Sequence, residues 1–98
     1  MTDNLVTIGA PNVFADLGFP PQEAEELRIR ADLMLNLRTL IQTRSWSLDQ
    51  AAQSLGESSE TIQALLQGKI SQFRIDQLII MLTRAGMTVR IEVLPNVA

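Results

Sequence analysis

Cysteine and histidine are both absent from this chain of 98 residues. Without imidazole or thiolate there are no Cys or His nucleophiles, no disulfides and no metal site of the usual zinc type. No metal and no cofactor is expected, and thiol content leaves the redox compartment undetermined. Positive charge is scarce, with 8 Lys and Arg against 11 Asp and Glu and a formal net charge of −3. A small autonomous nucleic-acid binder ordinarily carries a basic patch or stripe, so charge alone counts against that class. Long apolar runs are missing too. The longest, Leu78 to Leu82, is far too short to span a bilayer. The first residues, MTDNLVTIGAPNVF, have neither a positively charged region nor a long apolar stretch, so no secretory leader and no membrane partner is expected. The expectation is a soluble, cytoplasmic protein. No glycine-rich phosphate loop follows a strand, and no carboxylate has a convincing acid or base partner, so the chain is not expected to be an enzyme.

What is present is a hydrophobic content of 46%, enough for one compact domain and not for two. The chain divides into an arm over 1–22, a helical domain over 23–86 and a strand with its tail over 87–98. In the arm, Asn4 to Ile8 can pair as a short strand before Gly9 and Pro11 stop it. Phe14, Leu17 and Phe19, interrupted by Asp16 and Gly18, read as an irregular turn docked on the rest; a partner-binding arm is the alternative.

Pro20 and Pro21 introduce the first long helix, Gln22 to Arg44, whose early Glu23, Glu25 and Glu26 suit the positive end of its dipole. It is apolar on two faces. Ala24, Leu27, Ala31, Met34 and Leu35 form one stripe, and Ile29, Leu33, Leu37 and Leu40 form another about half a turn away. Either the arm or a second subunit must cover the surplus. Trp46 sits at the corner that follows, placed to plug the junction between helices. The last helix is expected from about Ile75 to Ala85, ended by Gly86.

Between these lies SLDQAAQSLGESSETIQALLQGK, Ser47 to Lys69. Ser47 can cap a second helix with Gln50 completing a capping box, and Leu48, Ala51, Ala52 and Leu55 supply its apolar side. Ser58 can cap a third helix, carrying Ile62, Leu65 and Leu66 toward the core before Gly68. Ala52 lies four residues before Gly56, Ile62 six after it and Leu65 three after that. Two short helices crossing at a tight turn meet that pattern, because Ala52 lets them approach and Gly56 can take a positive φ. This is the spacing of a helix-turn-helix, and it makes DNA binding the leading reading.

Thr88 to Leu94 alternates strictly, with Val89, Ile91 and Val93 on one face and Thr88, Arg90, Glu92 and Leu94 on the other. A lone strand must find a partner. Asn4 to Ile8 is available within the chain; the same strand of a second copy is the favoured choice, giving an antiparallel ribbon and a symmetric homodimer. The fold class expected is mainly α, a bundle of four to five helices with a C-terminal strand paired in a dimer.

The segments NVFADLGFP, LRTLIQ, the stretch through LLQGK and FRIDQLIIMLTRAGMTVRIEVLP together resemble small Xre-type helix-turn-helix proteins, over roughly residues 12–95. That group includes HigA-type antitoxins found beside RelE-like toxins, and phage-associated regulators. The resemblance implies a helical bundle, a dimer, operator binding through the third helix and a possible RelE-like toxin as partner. It also places Leu48 where such proteins typically have a backbone-contacting glutamine, and Ser59 where they often have a base-contacting one. Thr61, Gln63 and Gln67 stand where Arg or Lys is frequent, and Glu57 and Glu60 add negative charge.

The candidate DNA contacts are therefore Ser59, Thr61, Gln63 and Gln67 on the third helix, with Lys69, Arg74 and Arg44 for phosphates. Two carboxylates near the groove oppose phosphate binding, so weak DNA binding is one expectation. The alternative is a module that keeps the helix-turn-helix scaffold for protein interaction and has lost DNA.

Overall fold

The computed structural model describes residues 5–8 and 13–95, in the order β1 (Leu5–Ile8), α1 (Val13–Asp16), α2 (Pro21–Thr43), α3 (Leu48–Leu55), α4 (Ser59–Leu66), a 3₁₀ turn (Ile70–Gln72), α5 (Ile75–Arg84) and β2 (Thr88–Ile91). Helix α2 starts on Pro21, whose fixed φ and missing N–H suit a first turn. It runs through the domain as a spine. Leu33, Met34, Leu37, Leu40 and Ile41 of α2 join Ala51, Ala52 and Leu55 of α3, Ile62, Ala64 and Leu65 of α4, Phe73, and Leu78, Met81 and Leu82 of α5 in one core. The expected mainly helical bundle is what forms.

The two apolar stripes of α2 meet different fates. Leu33, Leu37 and Leu40 are buried within the chain, as are Ala24 and Met34 of the other stripe, while Leu35 remains 57% exposed. Helix α1 covers part of that second stripe. The arm docks less completely than its composition suggests. A four-residue helix can present only one side to α2, so Phe14 is half-buried with Phe19 edge-on to it at 6.1 Å, while Val13 and Leu17 face solvent. The first twelve residues of the arm lie outside the described residues except for β1.

Near the start of α2 lies a buried cation that no local pattern announces. Arg28 is buried, its Nε and Nη2 donate to the two carboxylate oxygens of Glu25 at 2.9 Å, and Asp32 lies 3.9 Å away. The Glu25 hydrogen bond raises the Arg28 pKa above its ordinary value, so the charge is retained in spite of burial.

Strand β2 is shorter than the alternating pattern, ending at Ile91. Its partner is β1, in parallel register from Leu5 opposite Thr88 to Ile8 opposite Ile91. Of the two partners expected for the strand, the one within the chain is present, rather than the favoured second copy. A parallel pair needs a long crossover, and the whole helical domain serves as that connection. Val89 packs against the core from the sheet.

Candidate nucleic-acid interface

The α3–α4 unit is built by its caps. The Ser47 hydroxyl accepts from the Gln50 N–H at 3.1 Å and the Gln50 side-chain oxygen accepts from the Ser47 N–H at 2.9 Å, closing the expected capping box. Gly56 ends α3 at φ +72°. Ser58 then caps α4, accepting from the Thr61 N–H at 3.1 Å. Ala51, Ala52 and Leu55 meet Ile62 and Leu65 at the crossing, all buried. Trp46 fills the corner between α2 and α3, half-buried against the core, with the Arg44 guanidinium 5.2 Å from its ring centre. Leu48, expected on the apolar side of α3, is 39% exposed, because the first position of α3 lies beyond the crossing.

The candidate contacts divide by which way α4 turns them. Gln63 and Gln67, four residues apart, lie exposed on its outer face, and their side chains form no hydrogen bond among the described residues. Ser59 is held back, since its hydroxyl donates to Asp49 Oδ1 at 3.1 Å and ties the starts of α3 and α4 together. Thr61 is half-buried, with its hydroxyl 2.9 Å from that of Ser58. Lys69 is exposed just beyond α4, at the start of the 3₁₀ turn. Arg74 is exposed and 3.3 Å from Asp76. Arg44 closes α2 at the corner leading into α3.

The carboxylates are arranged less unfavourably than their number suggests. Asp49 is engaged by Ser59, and Glu57 turns toward α5, where the Gln77 side-chain amide donates to it at 3.5 Å. Glu60 is the acidic residue on the outer face of α4 itself. Between Glu57 and α5 lies a groove of about 530 Å³ that Ser71, Gln72, Arg74 and Ile80 help to line.

Two cations come to this region from distant parts of the sequence. Arg84, in the last turn of α5, lies over Gly56, so that a Cβ at position 56 would come within 2.9 Å of its guanidinium carbon. Arg38 of α2 reaches the far end of α4, its Nη1 lying 3.8 Å from where a Cβ on Gly68 would stand. Sequence reasoning missed both. A basic residue in a last helical turn is legible, but nothing local assigns Arg84 to the turn before α4. The loop after α4 is fixed in turn by Arg30, whose Nη1 donates to the Ile70 carbonyl at 3.3 Å while it pairs with Glu26.

Two helices joined at Gly56, with the second displaying Gln63 and Gln67, correspond to a family of known proteins. The model of a helix-turn-helix domain family matches residues 13–94. The chain belongs to that family. No curated protein and no solved structure matches it with significance. In helix-turn-helix proteins the second helix of the pair lies in the major groove. Family membership thus points to DNA as the partner, with α4 in that helix's position. No helix among the described residues is long and apolar enough to cross a membrane.

Proposed function

We propose that this chain is a DNA-binding transcriptional regulator or antitoxin-like protein of the Xre helix-turn-helix type, acting in the cytoplasm by binding rather than catalysis, as a dimer and through α4. The observation that carries this reading is the free pair of amides, Gln63 and Gln67, on the outer face of a well-capped α4. Glutamine can bond both N6 and N7 of adenine, and a good pair of this kind discriminates by about 1–3 kcal/mol. Phosphate contacts fall to Lys69, Arg74 and Arg44, to which the fold adds Arg84 at the turn. A small cation set makes the affinity low, and the part that phosphate contacts supply falls as salt rises.

The test is a mobility shift of the chain's own upstream DNA at low salt. Expected is a shift that weakens steeply as salt rises and on Lys69→Ala. No shift at micromolar protein refutes the reading.

One observation favours a second reading, a protein-interaction module. Val13 of α1, Leu17 in the turn after it and Leu35 of α2 are exposed apolar side chains, and Glu60 faces outward from α4. A RelE-like toxin is the partner this reading assigns. The absence of a shift with upstream DNA favours this module, whereas co-purification with the product of an adjacent toxin-like gene supports antitoxin-like function and a gene neighbourhood without one counts against that function.

A further inference from the structure

A second groove, of about 240 Å³, lies between α1, α2 and the 3₁₀ turn, and it shares no residue with the one beside Glu57. Its walls are apolar: Phe14 of α1, Ala31, Met34 and Leu35 of α2, and Ile70 of the turn. Ile70 is held there by Arg30, which donates to its carbonyl. Arg38 is the one charged residue lining this groove among the described residues. It is half-buried and forms no hydrogen bond or ion pair among them, whereas Arg28, Arg30 and Arg74 each pair with a carboxylate. Gly68 beside it has no side chain to cover the guanidinium.

An apolar trough with a single cation that lacks an anion is complementary to a molecule of the reverse pattern. A guanidinium donates two parallel hydrogen bonds to a carboxylate, and the walls take up an apolar tail. One cation suits one negative charge. The volume sets the size, since a cavity of about 150 Å³ takes a benzene ring and drug-sized ligands fill about 300 Å³ or more. We propose that this groove binds a small monocarboxylate with an apolar tail of roughly five to eight carbons, its carboxylate on Arg38 and its tail against Phe14, Met34, Leu35 and Ile70. Lys69 stands between two of the lining residues, Gly68 and Ile70, so the site adjoins the end of α4. A bound carboxylate cancels the charge of Arg38 next to that lysine, and the ligand thereby acts as an effector that lowers DNA affinity. The effector role rests on the DNA-binding function proposed above; the binding of the ligand does not.

Hexanoate is the probe, followed by calorimetry and by amide chemical shifts of the full chain. Expected is one site per chain with a dissociation constant of about 1 mM or tighter, and shifts at Met34, Leu35, Arg38 and Ile70. Hexanol, which keeps the tail, and acetate, which keeps the charge, should each bind about tenfold more weakly or worse. Arg38→Gln should weaken hexanoate by about tenfold or more while leaving hexanol unchanged, and Arg38→Lys should recover part of the loss. Ala31→Leu, a substitution that suits a helix, should fill the groove and block both. Circular dichroism checks that all three variants stay helical. No saturable binding at about 10 mM hexanoate overturns the site, as do equal affinities for hexanoate and hexanol. Shifts of the groove residues that follow protein concentration instead of hexanoate assign the groove to a second copy and overturn it as well.

A mobility shift with and without hexanoate, at constant ionic strength, reads the effector role. DNA affinity should fall about fivefold or more at saturating hexanoate. Hexanoate that binds and leaves the shift unchanged overturns that role. A chain that shifts no DNA at all refutes the proposed function and leaves the site standing, because the calorimetry contains no DNA.

Discussion

At Gly56 the backbone sits at φ +72° and the Arg84 guanidinium lies against the position a side chain would occupy. Alanine there must accept left-handed strain and displace Arg84, whose far end is flexible enough to move. Gly56→Ala should therefore lower stability by about 1–2 kcal/mol in urea unfolding, most of it from the backbone. Arg84→Ala should leave stability nearly unchanged while weakening DNA binding, because it removes a cation and little packing. Ser47→Ala removes one arm of the capping box and should cost about 1 kcal/mol. Arg28 is a different case. Its burial makes the stem part of the packing, while its partner Glu25 is mostly exposed, so Arg28→Ala should cost about 1–2 kcal/mol in thermal unfolding.

Within α4 the amides and the cation beyond it have separable duties. Gln63→Ala or Gln67→Ala should relax base preference at a single operator position, read by footprinting on operator variants. Lys69→Ala should weaken binding to all sequences alike and reduce the steepness of the salt dependence by about one unit. The elements legible in the sequence were those with local causes. The caps at Ser47 and Ser58, the turn at Gly56 and the buried residues Ala52, Ile62 and Leu65 each follow from residues within one or two turns. What escaped notice was set by distant contacts. Arg84 reaches the turn only because α5 packs there, Ser59 is withdrawn by Asp49 on another helix, and Phe14 docks while Val13 does not because α1 has one face toward α2. The alternation at Thr88 to Leu94 announced a strand but not the identity of its neighbour, since a strand's need for hydrogen bonds does not name the donor.

Over the whole molecule the net charge of −3 opposes the approach of any polyanion. If Arg44, Lys69, Arg74 and Arg84 all meet phosphates, each copy should show a logarithmic salt slope of about −3 to −4, roughly −0.9 for each phosphate neutralised. A much shallower slope in titrations at several salt concentrations would remove some of these four from the interface. The pairing of β1 with β2 also governs how the chain reaches its native state. Leu5 and Thr88 lie near opposite ends of the sequence, so their contact closes almost the entire chain into a loop. Loop closure of that span is entropically costly until the helical bundle has already drawn the ends together. The small sheet is therefore expected to form after the rate-limiting barrier. Val89→Ala should accelerate unfolding while leaving the folding rate almost unchanged in stopped-flow measurements, whereas Leu37→Ala in the spine of the bundle should slow folding. The last strand would thus act as a latch, closing on a domain that has folded without it.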